Sequence, residues 1–119
     1  MDETRLGAVE ARFADIIWQN APLSSGELVK LCAQQLEWKK STTYTVLRRL
    51  CERGIFINED GAVRVQIGRE DFYAAHSEEL LQESFGGSLP AFLAAFTRRK
   101  KLTEAEIAAI EALIGQNRG

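Results

Sequence analysis

The residues best suited to recognition chemistry lie in one segment, between Trp38 and Gly54. Two lysines, five consecutive hydroxyl-bearing residues and two adjacent arginines occur there: Lys39, Lys40, Ser41, Thr42, Thr43, Tyr44, Thr45, Arg48 and Arg49. Hydroxyl groups can hydrogen-bond to the edges of DNA bases, and lysine and arginine bind phosphates. An ordinary surface helix carries Glu/Lys pairs instead. The segment therefore has the composition of a helix that lies in the major groove of DNA, with a solvated amphipathic helix as the alternative.

A helix would separate these groups from an apolar stripe. At about 100° per residue, the residues on one side of the segment are Thr43, Val46, Leu47, Leu50 and Cys51. Most of the polar side chains fall roughly opposite. We predict that the apolar stripe holds the helix in place, that residues 42–45 read bases, and that the arginines contact the DNA backbone.

No arrangement of residues points to catalysis. The only histidine, His76, belongs to no HExxH or HxH pattern, Gly86-Gly87 form no phosphate-binding loop, and no GxSxG motif is present. Cys32 and Cys51 fall on apolar helical faces without a CxxC or CxC pair, which is typical of small core residues. We therefore predict that the protein is not an enzyme and uses neither a metal nor another cofactor.

Length and charge are compatible with this interpretation. A chain of 119 residues with 45% hydrophobic and 27% charged residues suggests one domain, or a small domain plus an oligomerisation segment. No apolar run approaches the roughly 20 residues of a transmembrane helix, and the start MDETRL is not a signal peptide, so we expect a cytoplasmic protein without membrane insertion. The net charge is −2, but between Lys39 and Gly54 five basic residues stand against Glu52 alone. A locally basic face is compatible with DNA binding.

The preceding residues predict two helices that would support this segment. The first runs from Ala8 to Asn20 on an apolar stripe that includes Val9. The second runs from about Ser25 to Gln35, and the spacing of Ser24 and Glu27 indicates a capping box at its start. A short turn then leads to the third helix, so the second and third helices together form a helix-turn-helix.

The third helix and the residues after it predict a wing. Ser41 or Thr42 would cap the start of this helix, and Gly54 would end it as a left-handed residue. Strand-like residues 55–57 and 63–67 flank the turn signal Asp60-Gly61, and Val63, Val65 and Ile67 would form the buried face of the second strand. We therefore predict a winged helix-turn-helix domain over residues 1–69, in which Arg64 of the wing is a further candidate DNA contact.

Residues 70–119 return to a helical pattern. A helix is predicted up to Phe85, a second begins at the cap Ser88, and a third begins at the capping box of Thr103 and Glu106 and ends at Gly115. Three short amphipathic helices cannot easily bury their apolar faces alone, so we predict a homodimer; the alternative is that they pack on the winged domain. The predicted interface residues are Phe72, Tyr73, Leu80, Leu89, Phe92, Leu93, Phe96, Ile107, Ile110, Leu113 and Ile114. The fold class is then mainly α (α+β): a winged helix-turn-helix followed by a three-helix dimerisation domain.

The pattern W-x-x-x-T-x-x-T-x-L-x-R-L-x-x-x-G, from Trp38 to Gly54, resembles the recognition segment of the penicillinase and methicillin-resistance repressors, the BlaI/MecI/CopY family. Residues 16–18, 61–65 and 102–107 extend the resemblance over nearly the whole chain. The resemblance implies a bacterial, dimeric repressor of transcription that binds an inverted-repeat operator of double-stranded DNA. Thr43, Tyr44 and Arg48 differ from the residues of the lactam-responsive relatives, which favours a different half-site.

The resemblance also implies two routes of induction. Copper-responsive members hold metal with C-terminal CxC pairs, and this chain has no cysteine after Cys51. Lactam-responsive members are cut at an Asn-Phe bond after a membrane sensor-protease is activated. The matching position here is Ala95-Phe96, which keeps the phenylalanine but not the asparagine. Cleavage there is a hypothesis, with the sensor-protease as the implied partner.

Two other functions stay open. The acidic net charge and the acidic wing tip, Glu59 and Asp60, favour a winged-helix module that binds proteins instead of DNA. A regulator that senses a small molecule would instead use the aromatic side chains of Phe72, Tyr73, Phe85, Phe92 and Phe96.

Overall fold

The structure, a computed structural model, describes residues 6–119. The start of the chain, where we expect no signal peptide, lies outside this range. The described residues form the helices α1 (Ala8–Asn20), α2 (Ser25–Leu36), α3 (Lys40–Glu52), α4 (Arg69–Phe85), α5 (Leu89–Arg99) and α6 (Glu104–Asn117). Three short strands are β1 (Leu23–Ser24), β2 (Phe56–Glu59) and β3 (Ala62–Val65). Because 70% of the described residues are helical and their only sheet is small, three-stranded and antiparallel, the predicted mainly α winged-helix class is confirmed.

The chain divides into two compact units, residues 1–79 and residues 80–119. The boundary between these units lies inside α4, and the predicted division into two domains after residue 69 stays a prediction. None of the helices in residues 6–119 combines the length and the apolar composition that crossing a membrane requires.

The first two helices begin and end close to their predicted positions. In α2, Ser24 Oγ accepts a hydrogen bond from the Glu27 N–H at 3.0 Å, and Glu27 Oε1 accepts one from the Ser24 N–H at 2.9 Å. In α1, Glu10 Oε1 accepts a hydrogen bond from the Gly7 N–H at 3.2 Å. These contacts join residues three positions apart at the start of each helix, so a local sequence pattern was sufficient to predict both starts.

Helix α3 begins earlier than the sequence suggests. Its N-cap is Lys39, which makes no side-chain capping bond, and the predicted caps Ser41 and Thr42 lie inside the first turn. The cap prediction is therefore wrong: no side chain caps α3, and its buried face begins at Thr43. At the other end Gly54 has φ +81°, as predicted for a residue that ends a helix in the left-handed conformation.

The wing is a three-stranded antiparallel sheet with the order β1-β3-β2. Asp60 and Gly61 have φ values of 52° and 77°, which confirms the predicted hairpin turn. Strand β1 was not predicted, because two residues carry no periodic signal. It leads directly into α2, and the Ser25 N–H donates to the Gly61 carbonyl at 2.8 Å, so the start of α2 and the tip of the wing are joined. Val65, predicted to be buried, is 37% exposed.

The first unit contains a continuous apolar core. Its buried residues are Phe13, Ala14, Ile16, Ile17, Leu23, Leu28, Cys32, Val46, Leu47, Leu50, Ile55, Phe56, Val63 and Phe72. Val9, which we placed on the inward stripe of α1, is 52% exposed. Phe72 of α4 joins this core. The centroid of its ring lies 5.8 Å from the ring centroid of Trp18 and 5.3 Å from that of Tyr73.

The second unit has well-formed helix starts but no buried core. Ser88 caps α5 by accepting from the Ala91 N–H at 3.0 Å, and Thr103 and Glu106 form the predicted capping box of α6. Helix α6 continues through Gly115, which was predicted to end it, to Asn117. No residue between 80 and 119 is buried.

Candidate nucleic-acid interface

The polar face of α3 is exposed over its first three turns. Its buried face consists of Thr43, Val46, Leu47 and Leu50, and the exposed residues on and before the helix are Lys39, Lys40, Ser41, Thr42, Thr45, Arg48 and Arg49. Within residues 6–119, no ion pair involves Lys39, Lys40 or Arg48. The structure thus presents hydroxyl groups and uncompensated cations together on one surface.

Thr43 does not belong to this surface, which corrects the predicted set of DNA contacts. The residue is completely buried, and its hydroxyl donates to the Lys39 carbonyl at 3.2 Å. It lies beside Cys32, whose thiol has its pKa raised by burial. Thr43 therefore packs the first turn of α3 against α2.

Tyr44 links α3 to the start of α2. Its half-buried hydroxyl donates to Ser25 Oγ at 3.1 Å. The ring also borders a cavity of about 270 Å³ between α3 and β2, lined in addition by Leu47, Arg48, Cys51 and Asn58. Sequence reasoning missed Ser25, although the serine pair at the capping box was a visible signal. Because Ser25 also binds the wing turn through its N–H, Tyr44, Ser25 and Gly61 form one chain of contacts.

Arg49 forms an ion pair with α1. Its Nη1 lies 3.0 Å from Glu10 Oε2, with the two side chains 54% and 23% exposed. Burial would raise the pKa of Glu10, but the Gly7 N–H and the positive charges of Arg49 and Arg53 together hold it below its ordinary value. Glu10 is thus a second residue at this surface that sequence reasoning missed, since 39 positions separate the two partners.

Arg64 of the wing is also paired. Its guanidinium forms an ion pair with Glu59 on the neighbouring strand β2. Both side chains are more than half exposed, so the pair contributes little to stability, but it offsets the only cation in β3. Arg64 is therefore a weaker candidate for DNA contact than Lys40 and Arg48 of α3, which form no ion pair within residues 6–119.

The other predicted site residues separate into two groups. Phe72 is buried against Trp18 in the first unit, which corrects its assignment to a dimer interface, and the half-buried Tyr73 also contacts Trp18. The remaining interface residues occur together in the second unit: Leu80, Leu89, Phe92, Leu93, Phe96, Ile107, Ile110, Leu113 and Ile114. Several of them border an apolar groove of about 300 Å³ between α5 and α6. Ala95 and Phe96, the candidate cleavage position, are both exposed within α5.

Comparison with known proteins supplies the family. Individually curated proteins give no significant match to the chain. The sequence profile of the penicillinase repressor family, in contrast, matches residues 6–116 of the 119 and so covers both units. An exposed face of hydroxyls and cations on a winged helix agrees with the DNA-binding role of such repressors. The chain belongs to the penicillinase repressor family, a family of DNA-binding repressors of transcription that is typically non-enzymatic.

Proposed function

We propose that this protein is a homodimeric repressor that binds an inverted-repeat operator through α3. The observation that carries the proposal is the exposed face of α3, where hydroxyl groups lie beside Lys39, Lys40 and Arg48, which form no ion pair with a carboxylate of residues 6–119. Such a face supplies both the base contacts and the phosphate contacts of a recognition helix.

Thr42 and Thr45 are the proposed base-reading residues. The Thr45 hydroxyl donates to the Ser41 carbonyl at 2.9 Å, so its oxygen keeps its acceptor capacity. It can accept a hydrogen bond from a base amino group, while its methyl group can contact the methyl group of thymine. Lys39, Lys40 and Arg48 are the proposed phosphate contacts.

The proposed dimer rests on the second unit. No residue between 80 and 119 is buried, and five large apolar side chains are exposed there: Leu89, Phe96, Ile107, Leu113 and Ile114. A second copy of the chain would bury this surface by a twofold contact, and twofold symmetry matches an inverted repeat. The groove between α5 and α6 is the main support for a small-molecule sensor, but four of its lining residues are proposed dimer contacts, so we assign it to the dimer.

Cleavage at Ala95-Phe96 has little structural support as the route of induction. The bond lies inside α5, and a protease would need to unfold that helix locally to reach its backbone. We therefore do not propose proteolysis at this bond as the inducing step.

Replacing Thr45 and Thr43, one at a time, separates the proposed base-reading role from a purely structural role. Thr45→Ala is expected to lower the preference for operator over non-operator DNA by about 1 kcal/mol per half-site, roughly fivefold, because a base contact is lost. Thr43→Val is expected to leave this preference unchanged and to cost about 1 kcal/mol of folding free energy, because only a buried hydrogen bond is lost. Fluorescence anisotropy with both duplexes, together with urea unfolding, measures the two effects. A change in preference for Thr43→Val alone would contradict the assignment.

A further inference from the structure

Glu10 has no role in the proposed function, yet its carboxylate lies at the DNA-facing helix. Oε2 accepts a hydrogen bond from Arg49 Nη1 at 3.0 Å, and Oε1 accepts one from the Gly7 N–H at 3.2 Å. The carboxylate is thus held from two sides, by the first turn of α1 and by α3. The Gly7 contact fixes it in place independently of Arg49.

The carboxylate is charged under ordinary conditions. Burial would raise the pKa of Glu10, but the hydrogen bonds from Gly7 and Arg49 and the charge of Arg53 lower it below its ordinary value. The position of Glu10 in the first turn of α1 also favours a negative charge. A full negative charge therefore lies next to the Arg49 guanidinium at neutral pH.

Arg49 lies where a DNA backbone would meet it. Thr42, Thr45 and Arg49 are spaced at i, i+3 and i+7, which places them along one face of α3. The Arg49 side chain is 54% exposed, so part of its guanidinium remains open to an incoming phosphate. A phosphate that approaches Arg49 would also approach the Glu10 carboxylate.

We propose that Glu10 offsets the charge of Arg49 at the DNA interface and so lowers the affinity of the protein for DNA of any sequence. The inference rests on the proposed function. Phosphate contacts supply essentially all of non-specific binding, and a repressor competes with a large excess of non-operator sites. A carboxylate that weakens one such contact leaves a larger share of the binding to the base contacts of Thr42 and Thr45. Lys39, Lys40 and Arg48 have no comparable carboxylate among the described residues.

Glu10→Gln tests the inference, because it removes the charge and keeps the shape. The variant is expected to bind a non-operator duplex about fivefold more tightly at low salt, because the charge of Arg49 is no longer offset and its guanidinium is free to bind a phosphate. The slope of log K against log salt should steepen by up to about 0.9, the value of one phosphate contact. In the Arg49→Ala background the same substitution should change neither quantity.

Glu27→Gln is the matched control. Glu27 makes the same capping contact in α2, where the Ser24 N–H lowers its pKa, but it forms no ion pair with an arginine of the described chain. Its substitution changes the net charge equally and is expected to leave the salt slope nearly unchanged. If Glu27→Gln tightens binding as much as Glu10→Gln does, the effect is one of overall charge and the inference fails.

A second comparison does not depend on the folding of the Glu10 variant. If Glu10 offsets Arg49, then Arg49→Ala should reduce the salt slope less than Arg48→Ala does, because Arg48 forms no ion pair with a carboxylate of residues 6–119. A larger reduction of the salt slope for Arg49→Ala than for Arg48→Ala would overturn this inference and leave the proposed function intact. A folded Glu10→Gln variant that binds the non-operator duplex no more tightly than the wild type would do the same. A wild-type protein that binds no DNA at low salt would overturn the proposed function as well.

Discussion

Replacing Phe96 with glutamate is expected to convert the protein from a dimer into a monomer and to weaken operator binding about 100-fold. Phe96 is 42% exposed on α5 and borders the apolar groove between α5 and α6. Because the side chain is already partly exposed, a carboxylate there should be tolerated by the single chain. At the centre of an apolar dimer interface the same carboxylate would lose its hydration without gaining a partner.

The loss of affinity follows from the loss of the second half-site. In a dimer, binding of the first recognition helix holds the second near its half-site, and this linkage raises affinity by about 10²–10⁴-fold. Light scattering measures the mass of the complex, and fluorescence anisotropy measures the affinity. Val9→Glu is the matched control for mass, since Val9 is 52% exposed but lies in the first unit. A dimer that persists in Phe96→Glu at micromolar concentration would contradict the proposed interface.

Phe13→Ala is expected to lower the free energy of unfolding by about 3–5 kcal/mol. Phe13 is completely buried in α1, and its ring stacks on that of Trp38 with centroids 5.3 Å apart. Trp38 lies in the turn between α2 and α3, and its N–H donates to the Cys32 carbonyl at 3.2 Å. The substitution therefore leaves a cavity and also removes the support of the turn that places α3.

Urea unfolding followed by circular dichroism measures this loss. A total stability of about 5–15 kcal/mol is typical of small domains, so the variant should unfold at a clearly lower urea concentration. Val9→Ala is the control on the same helix, and it should change the free energy of unfolding by less than about 0.5 kcal/mol because Val9 is exposed. Equal effects for the two variants would contradict the description of the core.

Features that depend on local sequence were predictable. The capping boxes of α2 and α6, the glycine that ends α3 and the Asp60-Gly61 turn depend on residues at most a few positions apart. Their geometry follows from the backbone needs of one turn, so the sequence pattern is sufficient. The start of α3 was less predictable, because no side-chain cap marks it.

Features that depend on long-range contacts could not be predicted. Strand β1 forms only because β3, about 40 positions later, offers it a partner, and the Arg49–Glu10 pair depends on how α1 crosses α3. The helical periodicity of α3 placed Thr43 on the buried side of the helix, whereas the hydroxyl group of Thr43 suggested a base-reading residue. Thr43 is completely buried, so the periodicity was the better guide. Phe72 and Tyr73 carried the same apolar signal as the residues after them, and only their contacts with Trp18 assign them to the first unit.

Binding of the purified protein to its own upstream DNA tests the central claim most directly. Anisotropy should be measured with a duplex from upstream of the protein's gene and with a scrambled duplex of equal length and composition, over a range of salt concentrations. We predict two chains per operator duplex, a preference of at least about 10³ over the scrambled duplex, and an affinity that falls as salt rises. Equal affinity for the two duplexes, or no binding to either at low salt, would contradict the proposed function.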